Sequence, residues 1–268
     1  MSTFPLGVLI LHGFTASLDC VSGLQGPLHE LGIPTRMPVL RGHGGASPEA
    51  LRDVRWPDWV ADGEAALQDL RAEVEHVVIV GHSMGTLVTV TLAADHAGEG
   101  FLDSLVLAAP AVQLASPMAP GRPFSFLIPV LKRVLKKWDM PPNYADPSLA
   151  QYDTNYPWAP MEAVMQFLAF SGATRKRLPE ITLPTLIIQS RNDTTVAPES
   201  ADIVYNGIAT PPEQKRIVWF EKTEHEMFRD CEREAVVRSV VDFVRERLTG
   251  GATPLESGVP GAWAEASR

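Results

Sequence analysis

Cysteine is scarce. The 268-residue chain has two, Cys20 and Cys231, far apart and in no metal-like spacing. That argues against a disulfide framework and a cysteine-built metal site, and both are expected as free thiols in a reducing cytoplasm. Long apolar runs are also missing, since none reaches the roughly 18 residues that a membrane span needs. The opening MSTFPLGVLILHG is apolar. No Lys or Arg precedes the run and no small-residue cleavage site follows it, so it reads as a first strand and not as an export signal. Positive charge is in deficit: 23 Lys and Arg against 32 Asp and Glu leave a net charge of −9. That balance repels phosphates and argues against a nucleic-acid partner.

What is present is a core. Hydrophobic residues make up 45% of the chain, enough for a substantial buried core, and the length suits one large domain or two small ones. No internal repeat is found. Short β-branched runs at Gly7–Leu11, Thr35–Val39, His76–Val80, Ser104–Ala108, Thr185–Gln189 and Arg216–Phe220 read as strands. Several are almost continuously apolar, as parallel strands covered on both faces are. Helical patterns lie between them, over Leu18–Leu31, Trp56–Val74, Met84–His96, Pro198–Asn206 and Glu232–Leu248. The alternation predicts a doubly wound, mostly parallel α/β sheet.

Residues 111–180 break that rhythm with many prolines, no clear strand and helical patterns over Phe124–Trp138 and Met161–Arg177. They are expected to form a cap over the C-terminal edge of the sheet, where such sheets bind ligands. Residues 1–110 and 181–248 then form the core, and 249–268, rich in Gly, Pro, Ser and Ala, a flexible tail.

The strongest motif is Gly81-His82-Ser83-Met84-Gly85, with a buried strand before it and a helix after it. A G-x-S-x-G turn in that setting presents its serine as a nucleophile. The glycines let strand and helix approach closely. The helix N-terminus offers free N–H groups and a positive dipole end to the reacting oxygen. A serine in an ordinary strand-to-helix turn is the blander alternative. After the first strand, Leu11-His12-Gly13-Phe14 can aim the Phe14 N–H at the same point as the Met84 N–H, making an oxyanion hole. The Phe14 ring would wall an acyl pocket.

A nucleophilic serine needs an acid and a base, expected later in the chain in that order. Asp193 lies just past the Thr185–Gln189 strand, and His225 lies just past Arg216–Phe220. Asp193 would orient the imidazole, and His225 would carry the proton of Ser83 to the leaving alcohol. The competitors fit less well. Asp202 falls inside a helical pattern, Glu224 would point away from the histidine, and Asp230 reads as a cap of the last helix. His29, His76 and His96 sit at element edges, His82 should pack behind the nucleophile, and His43 should brace its own loop.

HGF, RGHG, GHSMG, SRNDTTV and a final-loop histidine before a helix resemble the bacterial carboxylesterases and monoacylglycerol lipases over Pro5–Leu248. The resemblance implies the α/β-hydrolase fold, a triad of Ser83, Asp193 and His225, and oxyanion donors at Phe14 and Met84. It implies no metal or cofactor. Thr86 departs from the pattern, because the family usually has a second glycine there. The chain also opens at what looks like the family's third strand, so the antiparallel opening strands are expected to be missing or reduced.

In the cap, Phe124, Leu127, Ile128, Leu131, Val134, Leu135 and Trp138 share one helical face, with Lys132, Arg133, Lys136 and Lys137 opposite. A lid over an acyl pocket with a solvated basic side is favoured over contact with an anionic lipid surface. Met161, Met165, Phe167 and Leu168 in the second cap helix are expected either to line a flexible apolar pocket or to be plain cap core, and Val196 is expected to face the pocket that Phe14 walls. The expected activity is hydrolysis of a short- to medium-chain acyl ester through an acyl-enzyme. Amide or peptide hydrolysis on the same fold is the rival, as is a hydrolase fold that binds a ligand without turning it over.

Overall fold

The computed structural model describes residues 4–119, 122–123 and 135–249. Six strands form one sheet: β1 (Phe4–Leu11), β2 (Thr35–Arg36), β3 (Val74–His82), β4 (Leu102–Ala108), β7 (Thr185–Ser190) and β8 (Lys215–Phe220). Their spatial order is β2-β1-β3-β4-β7-β8, and every pairing is parallel. The crossover helices are α1 (Gln25–Glu30), α2 (Trp56–Arg71), α3 (Met84–Asp95) and α5 (Glu199–Gly207), and α6 (Arg233–Leu248) follows the last strand.

The strands point alternate side chains to two buried faces. Leu9, Leu11, Ile79, Leu105, Leu107 and Ile187 join the core on one face, together with α2 and α3. Val8, Ile10, Val78, Val80, Val106 and Ile188 join the other, with Leu28, Val236, Val240 and Phe243. Burying one such aliphatic side chain contributes about 1.5–3 kcal/mol. Helix α3 is buried from Met84 to Ala94 on all sides, consistent with an apolar sequence that has no polar stripe.

The expected elements differ from the observed ones where proline and glycine intervene. The run Thr35–Val39 pairs only over Thr35–Arg36, because Pro38 has no N–H to give a ladder. In place of one helix over Leu18–Leu31 there are two 3-10 turns, Leu18–Cys20 and Ser22–Leu24, and then α1. Gly23, Gly26 and Pro27 disfavour a continuous helix there. Helix α2 ends at Arg71, since Val74 already opens β3.

Residues 111–180 are not free of strand. β5 (Lys137–Asp139) pairs antiparallel with β6 (Trp158–Pro160), so Trp138 lies on a short hairpin-like ladder opposite Ala159. It does not extend the helical face expected from Phe124. Pro141 and Pro142, close behind it, would stop such a helix in any case. Residues 124–134, which carry most of that face and its basic side, lie outside the described residues, as do 250–268. Helix α4 (Met161–Arg177) spans the residues its pattern predicted. None of the described helices is long and apolar enough to cross a membrane.

Candidate active site

The C-terminal ends of β1, β3, β7 and β8 bring the site together. At the end of β3 the chain turns sharply into α3, and Ser83 has φ 54° and ψ −117°. A non-glycine residue pays for such a conformation, and the surrounding packing must hold it. The two glycines are needed for space. A Cβ on Gly81 would come within 2.6 Å of the Gly85 backbone, and one on Gly85 would strike the Leu11 carbonyl oxygen. Thr86 adds a clamp: its hydroxyl donates to the Ser83 carbonyl at 2.5 Å and accepts the Ala111 N–H at 3.2 Å. Ser171 on α4 donates to the Ala111 carbonyl at 2.7 Å, so one residue, Ala111, ties the elbow to the long helix of segment 111–180.

Ser83 Oγ lies 3.0 Å from His225 Nε2, and His225 Nδ1 lies 3.0 Å from Asp193 Oδ2. The three residues nominated from sequence are therefore in one hydrogen-bonded line. The Asp193 carboxyl also accepts the N–H groups of Thr195 and Val196, both at 2.9 Å, and Gln189 Nε2 at 3.2 Å. Burial pushes that carboxyl up. The His225 charge, the hydrogen bond from it and the two N–H groups outweigh burial and hold it below the ordinary value. Burial likewise opposes an imidazolium at His225. The Asp193 charge and hydrogen bond, helped by Glu226 and Glu224, outweigh it and lift His225 to about 9.

Gly13 packs against the nucleophile, and a Cβ there would lie 3.2 Å from Ser83 Cβ. The turn that carries the Phe14 N–H thus adjoins Ser83, as the helix start that carries the Met84 N–H does. His12 fixes this turn: Nδ1 donates to the Gly13 carbonyl at 2.9 Å, and Nε2 accepts the Leu40 N–H at 3.0 Å. Burial pushes His12 down to about 4, so the ring is neutral in that role. His82 is buried beside the base, with its ring centre 5.1 Å from that of His225, and it donates from Nε2 to the His225 carbonyl at 3.0 Å. His43 donates to the Leu40 carbonyl at 3.1 Å and packs edge-on against Trp59.

Two acidic residues do work that sequence reasoning did not assign. Glu224 accepts the His225 N–H at 2.6 Å and the Thr194 N–H at 3.0 Å, so it joins the loops that carry the base and the acid. Asp230 does not cap α6. It accepts the N–H groups of Glu224 at 2.7 Å and Ala145 at 2.8 Å, and α6 starts after Glu232 with no side-chain cap. The signal was there in TEHEMFRDCE, whose acids are too many for a loop packed at a sheet edge to leave unpartnered.

Two cavities meet at the site. The larger, about 220 Å³, is mainly apolar and is walled by Phe14, Leu114, Met118, Val164, Phe167 and Leu168 among others. Phe14 and Phe167 stack with their ring centres 4.9 Å apart. Met165 is not on its wall. The helix turns about 100° per residue, and the inward face of α4 is Val164, Phe167 and Leu168. Val196 is not on it either: its side chain is in the core, and its backbone bridges to Leu114, which leaves Thr194 and Thr195 facing the cavity. The smaller cavity, about 50 Å³, holds Ser83 and His225 and has a polar wall that includes Asn155, Tyr156 and Glu226.

A family model described as serine aminopeptidase, S33, matches residues 6–232. The thermostable monoacylglycerol lipase of Bacillus sp. strain H-257 is 26% identical over 239 residues, covering 89% of this chain and 90% of that one. The carboxylesterase of Bacillus subtilis strain 168 is 27% identical over 243 residues, covering 89% and 92%. Among solved structures, a metagenome-derived lipolytic enzyme of the LipS and LipT work superposes with a TM-score of 0.81 at 25% identity, covering 91% of this chain and 95% of that chain.

Proposed function

The chain belongs to the serine aminopeptidase S33 family of hydrolases, and from that premise we propose that it is a serine carboxylic-ester hydrolase with Ser83 as its nucleophile. Its fold is the α/β-hydrolase fold. The reading is carried by one observation, the line of two 3.0 Å contacts from Ser83 through His225 to Asp193.

In this reading His225 Nε2 takes the Ser83 proton as Oγ attacks the ester carbonyl. The oxyanion that forms faces the N–H groups of Phe14 and Met84, already oriented by the turn and the helix start. His225 then returns the proton to the departing alcohol, and water repeats the sequence on the acyl-enzyme. Asp193, fixed by Thr195 and Val196, holds the imidazole tautomer and stabilises imidazolium. The apolar cavity receives a short- to medium-chain acyl group, and residues 111–180 supply much of its wall as a cap. A monoacylglycerol is one substrate consistent with this arrangement, by likeness to the Bacillus lipase.

The test is hydrolysis of p-nitrophenyl esters from acetate to laurate by wild type and Ser83→Ala. Wild type should hydrolyse the series, and the variant should lose at least about a thousandfold. A fluorophosphonate should label wild type and not the variant. The family description also brings amide hydrolysis into view. Aminoacyl p-nitroanilides cleaved faster than every ester would replace the ester reading with that one.

A further inference from the structure

The small cavity around Ser83 and His225 has a polar wall that acyl transfer leaves without a task. Glu226 follows the base in the chain and is 8% exposed. Its Oε1 accepts a hydrogen bond from Asn155 Nδ2 at 2.9 Å. Asn155 is itself held, since its Oδ1 accepts the Ser17 N–H at 3.3 Å. Glu226 Oε2 is buried with no protein partner. A buried carboxyl oxygen left unpaired is destabilising, and a hydrogen-bond donor on a bound molecule relieves the cost.

Phe14, Phe167 and Met140 are common to both cavities. With the acyl chain in the apolar cavity, the polar wall is left to the alcohol half of the ester. We propose that Glu226, oriented by Asn155, reads that alcohol: Oε2 accepts a hydrogen bond from a hydroxyl next to the esterified oxygen, as in a vicinal diol monoester. The inference rests on the reading of Ser83 as an esterase nucleophile. A hydroxyl fits better than a cation. The nearby Asp153 is matched by Arg229 at 3.5 Å and by the Tyr144 hydroxyl at 3.3 Å, so it offers no spare charge. Burial lifts the Glu226 carboxyl to about 7, with Asp153 adding to the rise and His225, Arg229 and Asn155 opposing it. A hydroxyl can serve either protonation state, because it both donates and accepts.

Three octanoate esters test this: those of propanol, propylene glycol and dimethylaminoethanol. Each is assayed for kcat/KM on wild type, Glu226→Met, Glu226→Gln and Asn155→Leu, with fluorophosphonate labelling to confirm an assembled site. Wild type should prefer the glycol ester to the propyl ester by about tenfold or more, because a site built to pair a hydroxyl discriminates against its absence. Glu226→Met should erase the ratio. Glu226→Gln, which keeps an acceptor oxygen, should retain part of it. Asn155→Leu should reduce it several-fold, and it carries the test if the Met variant does not fold. No preference in wild type, or a parallel fall of both esters in Glu226→Met, overturns the proposal while the esterase reading stands. Preference for the dimethylaminoethyl ester replaces the hydroxyl reader with a cation reader. Wild type that neither hydrolyses an octanoate nor takes the label sinks the esterase reading itself.

Discussion

The stacked pair Phe14 and Phe167 borders two cavities, one of about 220 Å³ walled mainly by aliphatic and aromatic side chains. The other, of about 50 Å³, is the one in which Ser83, His225, Asn155 and Glu226 meet. The first is walled by side chains between Leu114 and Asn143 together with the inward face of α4, and a mainly apolar wall of that kind selects by volume. The second is lined chiefly by strand ends and by several loops, and it selects by hydrogen bonds. Volume discriminates weakly, since each methylene is worth only about 1–3 kcal/mol, whereas an unmet buried polar group is refused more strongly. Acyl length should therefore be read loosely and the alcohol more strictly.

The largest break in that contrast comes from a residue that serves both cavities. Asp193→Asn keeps the volume but cannot hold the imidazole in the same tautomer or balance imidazolium. It should cost on the order of 10³–10⁴ in kcat for every ester, with no change in preference. A steady-state comparison across the p-nitrophenyl series checks it, and a loss confined to long chains would show that Asp193 acts on the pocket instead. Next is Leu168→Trp, which fills the larger cavity alone. Laurate should fall by roughly tenfold to a hundredfold relative to acetate. Equal losses for both would mean that acyl chains do not enter that cavity.

These two variants differ in how readable their targets were. Asp193 and His225 could be placed from the chain because each follows a strand, and parallel strands deliver their C-terminal ends to one edge. Ser83 could be placed because the elbow is local: Gly81 and Gly85 are required by contacts within a few residues or with the adjacent β1. The pocket wall is a different matter. Which face of α4 looks inward depends on how segment 111–180 docks, so of the helix residues expected at the pocket Phe167 and Leu168 are on its wall, joined by Val164, while Met161 and Met165 are not. Asn155 and Glu226 meet across 71 positions of sequence, with no periodicity to connect them. Trp138 was read into a helix because apolar spacing over a short window does not separate helix from a three-residue strand.

A smaller effect sharpens the polar side. Below about 9 the His225 imidazole is held as imidazolium and cannot accept the Ser83 proton, so kcat/KM for an uncharged ester should rise with pH towards that value. Glu226 is one of the carboxylates that hold it up, so in Glu226→Gln the acid limb should move to lower pH. Stability should move as well. The Glu226 carboxyl is lifted from its ordinary 4.5 to about 7, so the folded state holds that proton more tightly than the unfolded state does. Its contribution to stability is full below its ordinary value and is lost as pH rises through about 7. Glu226→Gln should therefore melt a few degrees above wild type at pH 8 and close to it near pH 4. A melting difference independent of pH would mean that the carboxyl does not titrate in this range.

The smallest effect concerns what stands behind both cavities. Thr86, in the first turn of α3, makes two hydrogen bonds through its hydroxyl, to the Ser83 carbonyl and from the Ala111 N–H. The Ala111 carbonyl accepts from Ser171 on α4, so the elbow and the pocket-lining helix are joined through one residue. Thr86→Val keeps the volume and the β-branch but leaves the Ala111 N–H buried without its acceptor, which costs about 1–3 kcal/mol. Melting temperature should drop by several degrees, and kcat should fall a few-fold as the strained Ser83 backbone loses a restraint. Because the clamp lies behind both cavities, neither the acyl-length profile nor the alcohol preference should shift. Thr86→Ser, which restores the hydroxyl, should recover most of the loss. If the serine variant instead behaves like the valine variant, the methyl group rather than the hydroxyl holds the elbow, and the hydrogen bonds through Ala111 do not couple α4 to Ser83.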